Sequence, residues 1–141
     1  MFNIDNNMDI RNYLNQTLAL VRQIKEAKSE LEFLKVTKYS TRSNYYSERV
    51  QKSNGKFMVF ERNLMKEESI LQKIEYDEEE FYKRADIINK WCLKLTTREA
   101  KYIQDRYLYD VPLEEIDYYS ERTARRIIKK AIENIHEQLN D

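Results

Sequence analysis

Glycine and proline are nearly missing: the 141-residue chain holds one of each, Gly55 and Pro112. Tight turns draw on these residues heavily, so a fold of many short strands joined by many turns is excluded, and long uninterrupted helices are favoured. The single cysteine, Cys92, excludes an internal disulfide and fits a reducing compartment. The single histidine, His136, has no neighbouring ligand pattern, which argues against a zinc site. Neither sign of charge is in excess, because 25 basic residues balance 25 acidic ones. A globally basic surface for nucleic acid is therefore absent, and charge must be read locally.

Nor is any apolar run long enough to cross a bilayer. The N-terminal MFNIDNNMDIRNYL lacks the basic start and apolar stretch of a signal peptide. The expectation is a cytoplasmic protein with no membrane association. No phosphate-cradling glycine loop, dinucleotide fingerprint or nucleophile beside a base occurs. Catalytic residues, metal ligands, cofactors and a small-molecule substrate are accordingly not expected, and the chain reads as a non-enzyme.

What the chain does contain is charge, at 35%, and apolar residues, at 41%. That mixture suits solvated helices with enough apolar surface for a core. Ile10, Tyr13, Thr17, Leu20, Ile24, Ala27, Leu31 and Leu34 alternate in steps of three and four, the spacing of one helix stripe. Asp9 is the expected N-cap. A polar stretch from Lys35 to Lys56 follows, read as a loop with a short helix near Tyr45 to Val50.

A second stripe runs Phe57, Phe60, Leu64, Glu67, Leu71, Ile74, Glu78, Phe81, Ala85, Ile88, Cys92, Leu95. Asp77 with Glu80 has the spacing of a capping box, which would break this helix near Tyr76. The acidic run from Asp77 to Glu80 reads as the start or exposed face of a helix. Glu67 and Glu78 interrupt the stripe and are candidates to face Lys28 or Lys35. Two stripes joined by a loop predict an antiparallel helical hairpin over 1–94. Leu14, Leu18, Val21, Phe33, Met58 and Met65 lie off the stripes, and this surplus suggests a homodimer through the N-terminal helices.

The remaining residues, 95–141, read as three helices. Thr96 with Glu99 is a capping box, and Leu95 with Ala100 has the spacing of a hydrophobic staple, so a helix runs from there to about Leu108. Asp110-Val111-Pro112 breaks it, and a short helix is expected from Pro112 to Tyr118. Ser120 caps the last helix, which runs to about Leu139. Trp91 and Tyr107 are expected to fill the junction between hairpin and C-terminal unit.

On the last helix Ala124, Ile127 or Ile128, Ala131, Ile135 and Leu139 point one way, and Glu121, Arg122, Arg125, Arg126, Lys129 and Lys130 largely point elsewhere. From Arg122 to Lys130 there are five basic residues and no acid. A ridge with small apolar residues beneath and cations outside fits a major groove, where arginine reads guanine edges and lysine meets phosphates. The plain alternative is a solvated amphipathic helix.

These segments carry a resemblance. Leu95-Thr96-Thr97-Arg98-Glu99, Arg106-Tyr107-Leu108, Leu113-Glu114-Glu115-Ile116 and the run Ser120 to Ile132 resemble region 4 of sigma factors, and still more the phage late transcription activators of the RinA and ArpU type. The resemblance covers about the last third of the chain. It implies an all-α chain ending in a tri-helical, sigma region 4-like helix-turn-helix, with double-stranded DNA as partner and host RNA polymerase as a second one. It implies Ser120, Glu121, Arg122, Arg125, Arg126, Lys129 and Lys130 as DNA-facing positions, and activation of late genes of a phage or related mobile element in a bacterial host.

One departure stands out. Asp117-Tyr118-Tyr119 is shorter than the family's usual segment between the second helix and the cap. Either the second helix is cut short, or Tyr118 or Tyr119 replaces the usual apolar plug of the turn. A second set of contacts, to DNA or a partner, is offered by Lys38, Arg42, Tyr45, Arg49 and Lys52 in the polar stretch, against the alternative of a loop kept soluble by charge. Two other functions fit the same pattern: a helical adaptor or anti-regulator that binds polymerase or another regulator, and a small terminase subunit.

Overall fold

The computed structural model describes residues 7–48, 53–118 and 120–140, with side chains described over 9–37, 61–118 and 120–140. The fold is all-α, and no strand occurs among the described residues. Helix α1 is Asn7–Glu48, α2 is Ser53–Cys92, α3 is Thr97–Tyr107, α4 is Leu113–Ile116 and α5 is Glu121–Asn140. Among these residues no helix is long and apolar enough to cross a membrane.

Helix α1 departs from the expected loop. Residues 36–48 continue the helix, and α2 already begins at Ser53, so helix replaces most of the polar stretch. No glycine or proline interrupts the chain before Gly55. Polar residues cost only a few tenths of a kcal/mol each in a helix, and extending a formed helix needs no new nucleus. Likewise α2 passes through Tyr76 without the expected break. Asp77 is not on an exposed face but buried, with one carboxylate oxygen unpaired among the described residues. Asp9 sits in the first turn of α1, two residues past its start, instead of capping it. Of the second set of contacts, Arg49 and Lys52 lie outside the described residues. Lys38, Arg42 and Tyr45 fall on α1, where only the backbone is described.

Two compact units divide the chain: Met1–Arg22 with Glu79–Asp141, and Gln23–Glu78. The first unit has one apolar core drawn from all five helices. Ile10, Leu14, Ile88, Ile103, Ala124, Ala131, Ile132 and Ile135 are essentially sealed from water. Trp91 and Tyr107 are buried in this core too, and the Trp91 ring tilts against Tyr13 at 5.3 Å. Leu14, Leu18 and Val21, surplus to a two-helix stripe, are buried within the chain itself. In the same unit Arg84 donates to the Tyr13 carbonyl and to Thr17 Oγ1, both at 3.5 Å, and its guanidinium lies over the Tyr13 ring. Partner numbers on α2 thus fall from 91 to 84 as those on α1 rise from 13 to 17.

Among the described residues the second unit holds only segments of α1 and α2. Ile24, Ala27 and Ile74 are buried there, and Lys28 Nζ meets Glu78 at 2.9 Å, one of the pairings the sequence offered. Two helical segments cannot cover every apolar side chain on both. Phe33 (68%), Val36, Met65 (70%) and Leu71 accordingly stand in water.

Candidate nucleic-acid interface

The C-terminal helices are tied together by polar residues at their ends. Thr96 Oγ1 accepts the backbone N–H of Glu99 and donates to Glu99 Oε1, at 3.2 and 3.1 Å, so the start of α3 is capped as its sequence predicts. Glu99 Oε2 also accepts from Asn134 Nδ2 at 2.8 Å, which fixes the capped end of α3 to the middle of α5. Leu95 and Ala100 pack against the common core. After α3 the chain turns at Asp110, the one non-glycine with positive φ (54°) among the described residues. Aspartate tolerates this region better than most residues. Its carboxylate meets Arg22 of α1 at 3.3 Å.

The next turn has been recast. Helix α4 ends at Ile116, short of the expected Tyr118, and Asp117 adopts an extended conformation. The Asp117 side chain is 1% exposed. One of its oxygens accepts from the Tyr102 hydroxyl and from Arg98 Nη2 at 3.1 Å, and the other accepts the backbone N–H of Ser120 at 3.1 Å. Burial, and then the bond to this carboxylate, push the Tyr102 hydroxyl above its ordinary range and keep it a donor. Tyr118 is 95% exposed and is no plug; Tyr119 lies outside the described residues. A buried carboxylate therefore anchors the shortened turn.

Ser120 then caps α5. Its hydroxyl accepts the Thr123 N–H at 3.1 Å and lies 2.8 Å from the Thr123 hydroxyl. Along α5, Ala124, Ile128, Ala131, Ile132 and Ile135 are buried. At 100° per residue they fill an arc of about 100°, and Arg122, Arg125, Arg126, Lys129 and Lys130 fill a separate arc of about 140°. Ile128 is the buried member of the Ile127/Ile128 pair; Ile127 is only half-buried, and Leu139 is exposed instead of pointing inward.

All five basic side chains are exposed, as are Ser120 and Glu121. Arg125 pairs with Glu121 at 2.6 Å, one turn away. Such exposed helical pairs contribute little and exchange readily. Arg122, Arg126, Lys129 and Lys130 make no ion pair among the described residues. The same face turns acidic beyond Lys130, at Glu133 and Glu137. Positive potential is thus confined to the first half of the helix.

The sequence brought out the basic face and the caps. It did not bring out Asp117, Tyr102 and Arg98, because what makes them important is contact across elements. The one available signal was an acid in the three-residue segment between Ile116 and the Ser120 cap. No protein-family model, no curated protein and no solved structure is similar enough to this chain to count as a match.

Proposed function

We propose that this chain is a sequence-specific DNA-binding transcription activator, of the kind a bacteriophage or related mobile element uses for its late genes. In this reading α3, α4 and α5 are a tri-helical helix-turn-helix, and α5 is its recognition helix. The observation that carries it is the first half of α5: an exposed cationic arc, largely unpaired, separate from a sealed apolar arc. Unpaired guanidinium groups on a helix held at its start by a buried anchor are suited to bidentate contact with guanine edges. The acidic second half of α5 repels phosphate, which would limit the contact to the N-terminal turns that recognition helices use. The resemblance to sigma region 4 and to the RinA and ArpU activators points the same way.

The N-terminal helices form an antiparallel hairpin in this reading and join two copies. Phe33, Val36, Met65 and Leu71 favour a protein contact in the second unit, because each stands exposed with no further described helix of that unit to cover it. The same side chains support a second reading, an adaptor that binds RNA polymerase or another regulator without touching DNA. Sequencing of DNA that co-purifies with the protein from a bacterial host separates the two. The activator reading expects enrichment of one short motif, lost in the Arg122→Ala/Arg126→Ala variant. Recovery of no enriched motif with wild type would favour the adaptor.

A further inference from the structure

Beside α5 the first unit opens into a cleft of about 350 Å³. Its wall carries Arg11 from α1, Arg106 from α3, and Arg125 and Lys129 from α5, over a floor that includes Tyr107 and Leu113. No carboxylate is among its lining residues, in a chain whose acids and bases are equal in number. Four cations gathered from three helices repel one another unless an anion sits between them. Among the described residues the one acid paired with any of these groups is Glu121, which meets Arg125 at 2.6 Å from one turn away. Arg106 gives a single nitrogen to a long bond, 3.5 Å, to the Val111 carbonyl, and its remaining donors make no other hydrogen bond among the described residues. The charges of Arg11 and Arg106 both act on the Tyr107 hydroxyl, whose burial outweighs them.

We propose that this cleft is a phosphate-binding site and that, in the complex proposed above, it seats a backbone phosphate of the duplex. This rests on the DNA-binding reading for the source of the phosphate, not for the site itself. Arg125 and Lys129 stand at the edge of the α5 basic arc, and Arg11 and Arg106 extend the positive surface across α3 to α1. A recognition helix lying in a groove is flanked by the sugar-phosphate strand, and arginines beside the helix set its register without reading sequence. Arg11 and Arg106 are therefore positioning residues, and a phosphate has the charge and acceptor geometry their guanidinium groups fit.

The test uses the full chain and its Arg11→Gln/Arg106→Gln variant, with matching thermal melts to exclude misfolding. Binding to a fluorescein-labelled mixed-sequence duplex is followed across a salt series. Loss of a phosphate contact should lower the slope of log affinity against log salt by about 1 and weaken binding evenly on all sequences. An unchanged slope in the variant overturns the proposal while leaving the DNA reading intact. If wild type binds no duplex, the DNA reading fails, and titration with inorganic phosphate decides the site. Saturable shifts of the Arg11 and Arg106 side-chain NMR signals uphold a site for free phosphate, and their absence overturns it.

Discussion

Replacing Asp117 with alanine should unseat α5 more than any other single change in the C-terminal turn. The carboxylate is sealed from water and accepts three bonds, from Tyr102, Arg98 and the Ser120 backbone. Hydrogen bonds to a charged group contribute about 1.5–3 kcal/mol each, and a buried donor left without a partner costs about 1–3 kcal/mol. These figures do not add, because the three donors share one acceptor and removing Asp117 also removes the cost of burying its charge. The Tyr102 hydroxyl loses its acceptor but still accepts from Arg98 Nε at 3.3 Å, whereas Arg98 is more than half in water.

The expected loss is therefore about 2–4 kcal/mol for Asp117→Ala, against a total stability on the order of 5–15 kcal/mol for a domain. Asp117→Asn keeps one acceptor and should lose less, and Arg98→Ala should shift stability least of the three. Urea unfolding at constant slope measures the series. Equal losses for Asp117→Ala and Arg98→Ala, or almost none for Asp117→Ala, would refute the claim that the buried carboxylate holds this turn.

Further predictions concern the cap, the core and the exposed apolar residues. Thr96→Ala removes the acceptor for the Glu99 N–H and should cost about 1 kcal/mol in the same assay. Burial pushes the Cys92 thiol from its ordinary 9.0 up to about 11. The folded chain thus holds that proton where the unfolded chain has lost it, and stability falls as pH rises from about 9 toward 11. By pH 10 the loss is about 1.4 kcal/mol, and a comparison of Cys92→Ala with wild type should show a shallower decline in the variant. Phe33→Glu with Met65→Lys should halve the mass measured by light scattering without lowering helicity; a wild type that is monomeric at all concentrations contradicts the dimer.

Local features of the C-terminal half were legible because they are written within a few residues. The Thr96–Glu99 box, the Ser120 cap and the five cations of α5 need no information from elsewhere in the chain. The same local reading misled where local signals compete. Asp77 and Glu80 have capping spacing, but the helix on either side continues through them. The polar stretch after Lys35 lacks apolar periodicity yet contains no residue that stops a helix before Glu48.

Contacts between distant residues stayed hidden. Leu14 and Leu18 looked surplus on a two-helix stripe because the helices that cover them come much later in the chain. Arg11 and Arg106 are unremarkable where they stand in sequence; only the fold brings them beside Arg125 and Lys129. Asp117 could be seen to sit in a shortened turn, but not to be buried there.

The DNA-binding reading stands or falls on contact between the first half of α5 and duplex DNA. Backbone amide chemical shifts, recorded while the promoter-proximal duplex recovered by co-purification is added, test it most directly. The largest changes should cluster from Ser120 to Lys130 and vanish in Arg122→Ala/Arg126→Ala. Changes confined to the second unit, or to Glu133 and beyond, would contradict it.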